Sequence, residues 1–239
     1  MQYRGSYLGV VWTLLNPIFM LGIYTFVFGY IFGGSFSDET PAEHALGIFI
    51  GLAIHNFLSE VMTVSPTLIE SNSTFVKRVI FPLEILVASK VVASFFTFSI
   101  KWLIILTAAF ILGNPLSLNH PSLLFLIAML TLLSFAVALI FSSIGTFVKD
   151  LGNSTQFFSM GLLFGSAVFY PISKIPDGAW AFLKYNPLIY LIEYSRNIVI
   201  WSEPITFPVV GFLIVFTLGL LGIGCYCFQL LKPAFSDVI

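Results

Sequence analysis

The 239-residue chain is 58% hydrophobic and only 9% charged, with a mean hydropathy of +1.01, and no soluble fold of this length could hide so much apolar side chain behind so little charge. Its net charge is −1 and its ten Lys and Arg are scattered, which excludes the clustered basic footprint of a nucleic-acid binder. The composition is that of an integral membrane protein.

A hydrocarbon core about 30 Å thick needs about 20 helical residues, and six segments supply them: 10–32, 45–68, 82–112, 122–147, 154–170 and 207–231. These unbroken Phe-rich runs predict an all-α bundle, since a membrane barrel shows shorter alternating segments. The first run is too long for a cleavable signal peptide and lacks an A-x-A-like end. Along one side of it Tyr24, Phe28 and Phe32 recur at i, i+4 and i+8, which makes them candidates to line a passage; the competing reading is lipid contact, since the chain holds 27 Phe. With the N-terminus inside, one side of the membrane receives Arg4, Lys77, Arg78, Lys149 and Lys232, and the first two outer loops hold no Lys or Arg. The positive-inside rule therefore places both ends in the cytoplasm, although Lys174, Lys184 and Arg196 in the third outer segment oppose the bias.

Small-residue spacings occur at Gly47-x-x-x-Gly51 in the second span and Gly161-x-x-x-Gly165 in the fifth, and packing within one subunit is their expected use. Charged residues inside a span need partners, and Glu60, Lys90 and Lys101 are such residues. Glu60 and Lys90 each lie eight residues, about 12 Å, from the cytoplasmic ends of their helices, so an antiparallel hairpin brings them level and predicts a buried pair; the competing reading is that Lys90 snorkels to the inner headgroups. Lys90, Ser94, Thr97 and Lys101 fall within about 60° of arc on a helix, giving the third span one polar stripe.

The loop at 70–82 offers N-cap candidates at Ser71 to Thr74 and a helix-opening Pro82, which predicts a short amphipathic cytoplasmic helix. Phe75, Val76, Val79 and Ile80 give its apolar face and Lys77 and Arg78 its charge; protein docking and membrane-surface binding suit these parts equally. The segment at 171–204 is too polar to cross a bilayer and too apolar for an ordinary loop. It reads as a mouth over a conduit, with Tyr170, Trp180 and Tyr190 at or near the opening. Glu193 and Arg196, three apart, predict a helix-surface pair worth about 0.2–0.5 kcal/mol. Cys225 and Cys227 point about 200° apart on a helix and cannot readily bridge. His44, His55 and His120 lack neighbours at ligand spacing, so no metal site is expected.

Residues 3–17, Tyr-Arg-Gly-Ser-Tyr-Leu-Gly-Val-Val-Trp-Thr-Leu-Leu-Asn-Pro, closely resemble the start of the first span in ABC polysaccharide-exporter permeases, and the resemblance continues at Phe75-Val76-Lys77-Arg78 and at Asn186 to Arg196. It implies a type-2 ABC membrane fold of six helices per subunit, a homodimer, and two cytoplasmic ATPase subunits encoded separately that carry the ATP and Mg. It also implies export of lipid-linked polysaccharide across a bacterial inner membrane: O-antigen first, with capsule or teichoic acid as related cargoes. By the same resemblance Phe75 to Arg78 form the helix that receives the ATPase stroke. Arg4, Tyr7 and Trp12 belong to an amphipathic lead-in, and residues 171–206 fold into short outer-side gate helices. Members usually carry a longer cytoplasmic segment before Tyr3, which leaves a truncated start open.

The sequence has no G-x-x-x-x-G-K-[ST] phosphate loop, so any ATP-driven role needs a partner, and no catalytic constellation is evident. The rivals are an ABC exporter of another lipid or drug, an ion-coupled carrier using His55, Glu60 and Lys101, and a membrane transferase acting on lipid-linked sugars. A single membrane domain over residues 1–239 is the expected organisation.

Overall fold

A computed structural model describes residues 11–31, 40–76, 82–113 and 121–238, and these are helical with short turns. Helix α1 (Val11–Tyr24) continues as a π-helix over Thr25–Ile31. Then follow α2 (Pro41–Leu68), the short α3 (Ser73–Val76), α4 (Glu84–Ile111), α5 (Pro121–Gly145), α6 (Asp150–Gly165), α7 (Asp177–Leu183), α8 (Pro187–Arg196), α9 (Phe207–Leu231) and α10 (Phe235–Val238).

Helix α2 is the axle of the bundle. Thr40 opens it with a reciprocal capping box, its hydroxyl accepting from the Glu43 N–H while Glu43 Oε2 accepts from the Thr40 N–H at 2.9 Å, and Pro41 occupies the first helical position, where its missing N–H costs nothing. Side chains on every face of α2 are buried from His44 to His55, because α4, α5, α6, α8 and the π-helical turn all pack around it. The outer helices bury one stripe each. On α4 the buried set is Leu86, Val87, Val91, Ser94, Phe98, Trp102, Ile105 and Ala109, and the opposite stripe of Val92, Phe96, Leu103 and Phe110 is exposed as a lipid-facing surface requires. Phe57 stacks on Phe98 at 4.9 Å between centroids, and Trp102 meets Phe98 edge-on, tying α2 to α4.

Two glycines permit close helix crossings. A Cβ on Gly145 would lie 2.4 Å from Pro66 Cα, and one on Gly224 would lie 2.9 Å from the Ala136 carbonyl, so α5 meets α2 and α9 backbone to backbone. Of the two expected glycine spacings, Gly51 is used within the chain, since its Cβ position lies 3.2 Å from Val168 and 3.3 Å from Ile192. In the second spacing Gly161 has nothing within 4 Å of its Cβ position, while that of Gly165 lies 3.6 Å from Leu183, an ordinary contact that does not need a glycine.

Helices α2, α4, α5 and α9 are each long and apolar enough to cross a membrane, matching four of the six expected segments. The segment expected at 154–170 is displaced: α6 runs from Asp150 to Gly165, 16 residues and about 24 Å, and the chain then turns through a left-handed Ala167 at φ 55°. At the opposite end of the bundle Lys232 Nζ reaches Glu84 at 2.8 Å and Lys149 Nζ reaches Glu70 at 3.4 Å. These pairs put the ends of α2 and α9 on the same face as the starts of α4 and α6, as alternating spans require.

Candidate functional site

Residues 170–196 clamp the C-terminal end of α6. A helix leaves its last carbonyls unpaired; here two later side chains take those of Phe164 and Gly165, and a third takes the carbonyls of Ala167 and Val168 just beyond. Tyr170 donates its hydroxyl to the Phe164 carbonyl. Asn186 Nδ2 donates to the Gly165 carbonyl at 2.9 Å and to Ser166 Oγ at 3.0 Å, while its Oδ1 caps α8 by accepting from the Leu188 N–H. Arg196 Nη2 donates to the Val168 carbonyl at 3.0 Å and the Ala167 carbonyl at 3.4 Å, Nε donates to the Gly47 carbonyl of α2 at 3.3 Å, and Nη1 holds Glu193 Oε2 at 3.1 Å.

This corrects the expected surface pair. Glu193 and Arg196 do meet, but Arg196 is 1% exposed, and its planar fork serves four acceptors on three stretches of chain. Helix α8 is correspondingly not a surface helix: Leu188, Ile189, Leu191, Ile192 and Ser195 are buried. Above it Trp180 and Tyr190 come together edge-on at 6.4 Å, and Tyr190 packs on Phe212 of α9 at 5.1 Å. The Tyr190 hydroxyl donates to the Lys184 carbonyl at 2.9 Å. Of the three expected mouth aromatics, Trp180 and Tyr190 thus form one cluster, whereas Tyr170 is tied back to α6.

Inside the bundle, Lys90 Nζ lies 2.7 Å from Glu60 Oε1, and Ser94 donates to the same oxygen at 2.9 Å. The pair expected from matched depths is present, with one correction: the Glu60 side chain is 40% exposed in the single chain, so it is half-buried. Lys101 makes no hydrogen bond or ion pair among the described residues. His55 Nε2 sits 2.9 Å from the Ser159 carbonyl of α6, and the Ser59 and Ser159 hydroxyls are hydrogen-bonded. His55 therefore turns towards α6 and Glu60 towards α4, the helix that also carries Lys101, whose charge interacts with that of Glu60, so His55 stands apart from the other two residues of the expected ion path.

At the opposite face, Ser71 Oγ and Asn72 Nδ2 both donate to the Leu68 carbonyl. They close α2 instead of opening a new helix, which corrects the expected N-cap. The backbone runs on helically through Glu70–Asn72 into α3, where Phe75 is 38% exposed. Lys77, Arg78 and the Val76 side chain lie outside the described residues.

Residues 1–200 match the ABC-2 type transporter family. The chain belongs to that family. It is similar to the polysialic acid transport protein KpsM of Escherichia coli, 25% identical over 234 residues that cover 95% of this chain and 87% of the relative. It is also similar to the O-antigen export system permease protein RfbA of Klebsiella pneumoniae, 23% identical over 239 residues, 100% of this chain and 90% of the relative. The RfbA permease protein of Myxococcus xanthus is 26% identical over 202 residues, 82% and 75% of the two chains.

In this ABC-2 family member the remaining expected positions divide in two. Trp12 is half-buried on α1, and Tyr24 packs against the core. Arg4, Tyr7, Phe32 and the Phe28 side chain lie outside the described residues, as does His120. Sequence reasoning named Asn186 in the resemblance but gave it no role, although Asn-Pro at a helix start is a readable N-cap signal. It missed Ser59 and Ser159, which carry no signal of their own in a chain with many Ser.

Proposed function

We propose that this chain is the membrane-spanning subunit of an ATP-driven exporter of lipid-linked polysaccharide, acting as a homodimer with two copies of a separate cytoplasmic ATPase. The observation that carries the reading is similarity over nearly the whole chain to permeases named for polysialic acid transport and O-antigen export. O-antigen is the first cargo to test, then capsule and teichoic acid. The domain spans residues 1–239 and crosses a bacterial inner membrane six times with both ends in the cytoplasm, α1 with its π-helical turn and α6 completing the count. Residues 70–81 receive the ATPase stroke, and α7 with α8 form the outer gate. Exposed Phe75 and the inward-held α8 support these assignments.

A hydrated polymer cannot partition into lipid, so the subunit must supply a polar or aromatic track. Tyr24, Phe28 and Phe32 on the first span and the Trp180–Tyr190 cluster at the mouth are the candidates. The chain itself performs no chemistry in this reading; ATP and Mg act on the partner. Cargo of another lipid or drug class, and an ion-coupled carrier, are the competing readings. The divergent directions of His55 and Glu60 speak against the carrier. The test is co-purification with an ATPase followed by reconstitution. ATP-dependent transfer of a lipid-linked glycan is the expected result, and transport driven by an ion gradient without ATP would overturn it.

A further inference from the structure

Helix α6 buries little side chain against the rest of its own chain. Its only fully buried side chains are Thr155 and Ser159, while Phe157, Phe158, Met160 and Phe164 are all more than half exposed. It adds little apolar burial to the core, and polar contacts at three levels hold it. At one end Lys149 and Glu70 pair across 3.4 Å with both side chains more than half exposed, a contact of little strength. At the outer end Tyr170, Asn186 and Arg196 hold the carbonyls of residues 164–168. Midway, His55 and Ser59, one turn apart on α2, clasp Ser159.

These contacts differ in what their rupture exposes. Pulling away the outer end takes two of its four acceptors, the Ala167 and Val168 carbonyls, from a 1%-exposed guanidinium and breaks the Tyr170 and Asn186 contacts as well, which leaves buried N–H donors unsatisfied. Opening the clasp breaks two hydrogen bonds and disturbs none of the packing of α2 on α4, α5 and α8. With Nε2 donating to Ser159, the buried Nδ1 of His55 has no hydrogen-bond partner among the described residues.

We propose that α6 is the moving element of the subunit. It pivots about the outer end fixed by Arg196, and the His55–Ser59–Ser159 clasp is the latch released in each transport cycle. The inference rests on the ATP-driven export reading and locates the motion that reading requires.

The test uses two disulfides in the full complex with its ATPase in vesicles. Ser59→Cys with Ser159→Cys joins the latch; Gly51→Cys with Val168→Cys joins the outer end, where the Gly51 Cβ position already lies 3.2 Å from Val168. Single-cysteine variants control for folding. Oxidation of the latch pair is expected to lower ATP-dependent glycolipid export at least about ten-fold, restored by reductant, and oxidation of the outer pair to leave it within about two-fold. In unoxidised samples ATP and Mg should slow disulfide formation by the latch pair and leave the outer pair unchanged. Full export with the latch cross-linked refutes the latch, and a block by the outer cross-link refutes the pivot. If unlinked protein moves no glycolipid, the cargo reading fails, and the nucleotide dependence of the two cross-linking rates alone decides the latch.

Discussion

Arg196→Ala removes the fork that joins α8, α2 and the end of α6, and its cost can be worked from the contacts. Deleting one partner of a buried ion pair costs about 3–5 kcal/mol. Glu193 keeps 20% exposure and rehydrates in part, which places the loss near the lower limit, about 3 kcal/mol. For a chain of this size 1 kcal/mol moves a thermal midpoint by about 2–4 °C, so the expected fall in Tm is about 6–12 °C. The assay is thermal unfolding of purified protein in one detergent at one scan rate, because unfolding of such chains is often irreversible. Arg196→Lys should fall between, since one ammonium cannot reach acceptors on three stretches of chain. The pair Arg196→Met with Glu193→Gln should recover part of the loss by removing both charges, and the remainder measures the bared carbonyls of Gly47, Ala167 and Val168. A Tm for Arg196→Ala within about 1 °C of wild type would show that the guanidinium does not hold the segment.

Reversing one member of the Glu60–Lys90 pair places like charges within reach inside the bundle. Glu60→Lys or Lys90→Glu alone should reduce membrane insertion or stability and the double reversal should restore it; an absence of rescue would separate the two roles. Gly145→Leu drives side-chain atoms into Pro66, so overpacking should cost about 1–3 kcal/mol. Gly161→Leu, with open space around its Cβ position, should stay within about 0.5 kcal/mol of wild type by thermal unfolding; equal losses at both sites would contradict the described crossing of α2 and α5.

The long spans were legible because each needs only length and an apolar stripe. The Glu60–Lys90 pair was legible for a related reason: a fixed rise per residue turns sequence offsets from two helix ends into comparable depths. Helix α6 was misplaced by several residues because its first turns, Asp150 to Gln156, are polar and small, and the apolar window slid towards Tyr170. Helix α8 was read as a surface element because Glu193 and Arg196 lower its apparent burial. The partners that let it enter the core, the carbonyls of Gly47, Ala167 and Val168, are distant in the chain and have no side-chain signature. The latch at Ser159 escaped for the same reason: a backbone carbonyl accepts from His55, and no residue type announces that.

Sealed vesicles containing this chain and its cognate ATPase, supplied with a radiolabelled lipid-linked glycan, give the most direct measurement. Glycan should cross the bilayer only when ATP and Mg reach the ATPase side, and should stop when the ATPase is inactivated. Normal ATP consumption with no glycan transfer, or transfer by this chain without the ATPase, would contradict the account.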